Sequence, residues 1–155
     1  MPHQVELTNG FITIPGYPRL VHISEKVGGS KYFTWAEVTT GGYRKWTDKQ
    51  ITWAAVKQAR LLDVIRAEIK RPFTVTSWYR TPAVNQAVGG ARNSLHLTGA
   101  ATDFKIGGWE SSLANANKIR EIGWEGGIGY YPGPGGWFHL SSAPIKEHGV
   151  TYRGR

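Results

Sequence analysis

Ser94-Leu95-His96-Leu97-Thr98-Gly99-Ala100-Ala101-Thr102-Asp103 is the stretch around which the rest of the chain can be placed. His96 and Asp103 stand seven residues apart, and the small residues of Thr98-Gly99-Ala100-Ala101 between them allow a tight turn. Such a turn brings an imidazole and a carboxylate to one ion before the chain enters a strand predicted over residues 100–106. The 155 residues include no cysteine, so any metal site must be built from His, Asp or Glu. Zinc accepts imidazole nitrogen and carboxylate oxygen at about 2.0–2.2 Å, and a catalytic zinc takes three protein ligands and leaves a fourth position to water. His139, on the last predicted strand, is the natural third ligand.

Upstream, Phe73-Thr74-Val75-Thr76-Ser77-Trp78-Tyr79 is rich in β-branched and aromatic residues and predicts a strand that stops at Thr81-Pro82. Before it, Thr47-Asp48-Lys49-Gln50 fits a capping box with Thr47 as N-cap. The box opens a helical pattern through Ile51, Ala54, Ala55, Ala59, Leu62, Ile65 and Ile69 that ends before Pro72. Downstream, Ser111 can cap a shorter helix through Leu113, Ala116, Ile119 and Ile122, closed by Gly123. Residues 127–131 and 137–141 then read as antiparallel strands joined by the Pro132-Gly133-Pro134-Gly135-Gly136 turn. Residues 1–34 mix β-formers with Gly and Pro and predict short strands and turns wrapping the domain. The expected fold is therefore α+β, a small single domain with a mostly antiparallel sheet and flanking helices.

Bulk composition narrows the function classes. At 40% hydrophobic and 19% charged residues the chain is too apolar for a disordered protein. No apolar run approaches the roughly 20 residues of a membrane span. The opening MPHQVELTNG lacks the basic start and apolar core of a secretory signal, so synthesis in the cytoplasm and release by lysis or another route are expected. The net charge of +8 favours polyanionic partners: nucleic acid, anionic lipid, or the teichoic acids and peptide carboxylates of a cell wall. The lysines and arginines are scattered rather than clustered, which argues against nucleic acid.

The ten-residue stretch resembles the SxHxxGxAxD motif of the zinc D-alanyl-D-alanine carboxypeptidase and L-alanyl-D-glutamate endopeptidase family, with all five fixed positions present. The likeness runs upstream through Ser77, Tyr79-Arg80, Asn85 and Gly89-Gly90, and downstream through residues 127–132 to Phe138-His139. The resemblance implies a hedgehog/D,D-peptidase-like domain over residues 1–155, with an N-terminal wrap over 1–30, the family-like region over 31–142 and a tail over 143–155. It implies Zn2+ held by His96, Asp103 and His139. Arg80 would offer its guanidinium fork to a substrate carboxylate or carbonyl, and Ser94 would hydrogen-bond around the site. The implied activity is hydrolysis of peptidoglycan stem peptides, of D,D-carboxypeptidase or endopeptidase (endolysin) type. The setting would be a bacterial or phage lytic system, with other virion or lysis proteins as further partners.

Two positions depart from the family pattern. Many members carry an acid three residues before the last His ligand, where this chain has Gly136; others carry Asp two residues after it, where this chain has Ser141. A lost general base typically costs ~10²- to 10⁴-fold in rate. Glu125, Glu147 and His148 are substitutes by proximity in sequence. The alternative function is a catalytically weakened peptidase-like domain that binds cell wall or forms part of a phage tail. His3, His22 and His148 are expected to be exposed or capping residues. The seven tryptophans are expected mostly in the core, with one or two lining the substrate groove.

Overall fold

The helical pattern that begins near Asp48 forms the longest element of the computed structural model, which describes residues 9–142 and the backbone of 150–152. In chain order the elements are β1 (Phe11–Thr13), β2 (Leu20–His22), α1 (Trp35–Thr39), α2 (Lys49–Ile69), β3 (Phe73–Ser77) and α3 (Pro82–Ala87). A 3₁₀ turn (Leu95–Thr98), β4 (Ala101–Ile106), α4 (Leu113–Ile122), β5 (Gly127–Tyr131), β6 (Trp137–Ser141) and β7 (Val150–Tyr152) follow. The main sheet has the order β3-β4-β6-β5-β7 and is antiparallel except for the parallel β5–β7 pair. β1 and β2 form a separate two-stranded sheet. The fold is the α+β domain with a mostly antiparallel sheet that the pattern predicts.

α2 explains how the helical layer meets the sheet. Ala55, Ala59, Leu62 and Ile65 recur at helical spacing and are all buried, each large side chain contributing about 1.5–3 kcal/mol on burial. On the same face, fully buried Gln58 donates from Nε2 to the Leu140 carbonyl at 2.9 Å and to Thr102 Oγ1 at 3.2 Å. A polar residue thereby ties α2 to β4 and β6 without leaving its amide donors stranded. Further along the helix, Asp63 accepts from Ser30 Oγ, Lys31 N and Tyr32 N. These bonds fasten the N-terminal segment, whose Ile12, Ile14, Val21 and Val27 join the same core.

Local details differ from the sequence reading in three places. Asp48, not Thr47, is the N-cap of α2: its carboxylate accepts from Gln50 N at 2.9 Å. Likewise Ser112, not Ser111, caps α4, because the Ser111 hydroxyl is used elsewhere, donating to the Trp137 carbonyl and accepting from Tyr131 N across the β5–β6 hairpin. β3 ends at Ser77 rather than continuing to Tyr79, since a register shift between Val75 and Ser77 lifts the next residues off β4. Tyr79 N then pairs with the Val38 carbonyl of α1 at 3.2 Å. Of the tryptophans, Trp35, Trp46, Trp78 and Trp124 are buried, whereas Trp53 is exposed against Tyr17. None of the helices among the described residues is long and apolar enough to cross a membrane.

The cap assignment gives a direct test. Asp48→Ala is expected to lower stability by about 1 kcal/mol, and Thr47→Ala to change it by less than about 0.5 kcal/mol. Urea denaturation of both variants checks the order.

Candidate metal centre

Two strands and one turn deliver the central side chains. Asp103 on β4 lies directly opposite His139 on β6, so the two side chains leave the sheet on one face. His96 enters from the 3₁₀ turn, whose first residue is capped by Ser94 Oγ accepting from His96 N at 3.2 Å. Gly99 closes that turn at φ +81°, with a Cβ there only 2.9 Å from the Ile51 carbonyl of α2; the position needs glycine for both reasons. Asp103 follows four residues after Gly99, as the third residue of β4.

The geometry around these residues identifies what they can hold. His96 Nδ1 lies 2.6 Å from the Trp78 carbonyl, which can only accept, so Nδ1 carries the hydrogen and Nε2 keeps its lone pair. That Nε2 is buried, makes no hydrogen bond, and faces Asp103 Oδ1 at 3.2 Å. His139 Nδ1 lies 2.8 Å from the same oxygen. One donor atom from each of the three side chains fits within 4.8 Å of the others. Ligand atoms bound tetrahedrally at 2.0–2.2 Å would sit roughly 3.4 Å from one another. Two electron-rich atoms held face to face in a buried place are suited by a cation between them, and the nitrogen and carboxylate donor set is one that zinc accepts.

Asp103 is the electrostatic centre. Burial pushes its carboxyl up, but hydrogen bonding by His139 and the positive charge that both imidazoles bring when protonated more than offset this and hold it well below the ordinary carboxylate range. Arg80 Nη2 donates to its second oxygen, Oδ2, at 3.1 Å. Arg80 is itself held by Ser77 Oγ and Asn85 Oδ1, leaving two of its five N–H donors for other partners.

A cavity of about 410 Å³ opens over this group and brings together Arg80, Ser94, His96, Asp103, His139 and Ser141. Tyr131 and Trp137, stacked with ring centroids 4.3 Å apart, form its hairpin wall. Among the described residues Asp103 is the only carboxylate in its lining. Gly136 lies outside that lining, and a Cβ there would come within 2.1 Å of the Tyr131 carbonyl oxygen and 2.9 Å of that of Gly133. Glu125, a candidate base by sequence proximity, lines a different cavity between α2 and α4 with Lys57 and Leu61. Glu147 and His148 lie outside the described residues. Sequence reasoning did not find the Trp78 carbonyl, which no side-chain pattern announces, nor Arg44, which reaches toward Arg80 from the loop before α2.

The profile of the peptidase M15 family matches residues 31–141. This chain belongs to the peptidase M15 family. Among curated proteins, the probable peptidoglycan L,D-endopeptidase MepK of Haemophilus influenzae is 34% identical over 73 residues. The match covers 44% of this M15 chain and 38% of that protein. The family-matched residues 31–141 hold all three residues of the His-Asp-His group, together with Arg80 and Ser94.

A depressed carboxyl pKa has a defined sign in folding. Asp103 stabilises the native state above the unfolded carboxylate pKa of about 3.9, and that contribution is lost as pH falls from there toward the lower folded value. In metal-free protein, unfolding free energy between pH 4 and 2 is expected to fall more steeply for wild type than for Asp103→Asn. The difference in slope should approach one proton, about 1.4 kcal/mol per pH unit. Equal slopes in denaturant titrations across that range would show that Asp103 is not held ionised by its neighbours.

Proposed function

We propose that the chain is a zinc-dependent peptidase that hydrolyses peptide bonds of bacterial peptidoglycan, with residues 1–155 acting as one zinc-peptidase-like domain. The observation that carries the reading is the buried, hydrogen-bond-free Nε2 of His96 aimed at Asp103 and His139 beneath an open cavity. Membership of a peptidase family supplies the reaction class. The named activity of the Haemophilus relative supplies the substrate class. Cell-wall peptides also suit a chain of charge +8, since they carry free carboxylates. Action at the wall after lysis or export, in a bacterial or phage lytic system, follows from this substrate.

In this reading His96, Asp103 and His139 hold the ion. Bound there, zinc supplies a Lewis acid and a nucleophile available near neutral pH. The chain's own residues do the positioning. The Trp78 carbonyl fixes the His96 tautomer and ring direction, and Arg80 occupies Asp103 Oδ2 so that Oδ1 faces the imidazoles. The two remaining Arg80 donors are directed to a substrate carbonyl or carboxylate, and Ser94 and Ser141 offer hydroxyls in the cavity wall. Whether the cut is of carboxypeptidase or endopeptidase type depends on how much of the substrate lies beyond the scissile bond.

A second reading is favoured by one observation: no carboxylate besides Asp103 lines the cavity among the described residues, and Gly136 has no room for one. On that reading the domain binds cell wall, or serves in a phage tail, with weak catalysis. Zinc-loaded wild type is expected to clear purified peptidoglycan and release new amino groups, whereas His96→Ala should lose more than the ~10²-fold typical of removing an outer-shell partner. Full zinc loading without amino-group release would establish the weakened domain instead. Less than about half an equivalent of zinc after reconstitution would remove the three-ligand site itself.

A further inference from the structure

A second cavity, of about 320 Å³, lies beside the metal cavity and shares Arg80, Val88, Asp103 and Trp137 with it. Three cations from three elements meet there: Arg44 from the loop before α2, Arg80 after β3, and Lys105 on β4. Lys105 is two residues beyond Asp103, which puts both side chains on one face of the strand. The Ser77 hydroxyl links the two arginines. Arg44 Nη1 donates to Ser77 Oγ at 3.1 Å and to the Tyr79 carbonyl at 3.0 Å, and Arg80 Nε donates to the same Ser77 Oγ at 3.3 Å. One oxygen atom thus separates two guanidinium groups.

The charges in this cavity do not balance. Both acceptors of Arg44 are neutral, and among the described residues no carboxylate lies within ion-pair distance of it. Burial, and then the facing Arg80, pull the Arg44 guanidinium below its ordinary value. Asp103, the one acid in the lining, is already shared by Arg80 and the two histidines. Two half-buried like charges held this close are destabilising unless an anion lies between them. The Nε and Nη2 donors of Arg44 meet no protein acceptor among the described residues. A planar guanidinium with free donors recognises a planar, two-oxygen anion best.

We propose that Arg44 and Lys105, together with Arg80, form an anion subsite that takes a free carboxylate of the peptide substrate beside the metal centre. The subsite rests on the peptidase reading for its source of carboxylate and extends it to substrate selection. Arg80 touches Asp103 directly, and a peptide advances about 3.3–3.6 Å per residue. The recognised carboxylate therefore lies one or two residues from the scissile bond. Peptides in which it is amidated would be poor ligands.

The test is a titration of the full-length, metal-free protein with acetyl-D-alanyl-D-alanine and with its C-terminal amide, followed by NMR shifts of backbone amides. Removing zinc keeps hydrolysis out of the measurement. The acid is expected to bind at least about tenfold more tightly than the amide, the worth of one hydrogen bond to a charged group. Arg44→Gln and Lys105→Gln should each shrink that ratio at least threefold, and Arg44→Lys should recover part of it. Arg44 also braces Ser77 and Tyr79, so Lys105→Gln, altering an exposed side chain, is the variant whose fold is secure. Acid and amide binding within twofold in wild type, or a ratio unchanged in Lys105→Gln and in folded Arg44→Gln, would overturn the subsite. A failure of the peptidase reading would be seen separately, as zinc-loaded wild type releasing no amino groups from the wall.

Discussion

The short bond from His96 Nδ1 to the Trp78 carbonyl is the interaction on which the rest of the site depends. It is one rung of a clamp. The Trp78 indole donates to the Gly99 carbonyl at 3.0 Å, and Arg80 N donates to the His96 carbonyl at 3.0 Å. The segment leaving β3 and the segment entering β4 are thereby held against each other outside the sheet ladder. The bulge at the end of β3 makes this possible, because residues that stayed in register with β4 would have spent the same groups on the ladder. Fully buried Trp78 stabilises the clamp by packing against Phe33, so the ligand's orientation is tied to the core.

The clamp also decides the electrostatics. With Nδ1 committed to a carbonyl, His96 presents a lone pair to Asp103, and a buried carboxylate is left facing an atom with no proton to share. Arg80, fixed by Ser77 and Asn85, compensates the outer oxygen but cannot reach the inner one. Gly90 shows how closely the bracing is fitted: a Cβ there would lie 2.1 Å from Asn85 Oδ1, the atom that receives Arg80.

What the sequence made legible was whatever a side-chain pattern encodes. α2 was readable because its apolar residues recur over 21 positions, and the β5–β6 hairpin because its turn is Pro- and Gly-rich. The triad was readable because His96 and Asp103 share one motif, and the cross-strand register then brings His139 opposite Asp103. The caps slipped by one residue in both long helices. At each, two adjacent residues have capping chemistry, and only tertiary demand separates them: Ser111 is needed by the hairpin, which leaves Ser112 to the helix. Backbone contributions such as the Trp78 carbonyl carry no residue-type signal. Arg44 was hidden for another reason, since its meaning comes from a partner 33 residues away.

Gly136 shows that a departure from a family pattern can be a property of the backbone rather than the loss of one group. Its amide donates to the Gly133 carbonyl at 2.9 Å, closing the hairpin loop so tightly that the Tyr131 and Gly133 carbonyl oxygens occupy the space a side chain would need. An acid introduced there would first have to open the β5–β6 turn, displacing the stacked Tyr131 and Trp137 that wall the cavity. Glycine at this place is therefore coupled to the aromatic wall, and the two features belong to one construction of the hairpin. On the proposed reading a proton acceptor has to come from outside this turn, whose Gly135 and Trp137 instead border the cationic cavity assigned to substrate carboxylate.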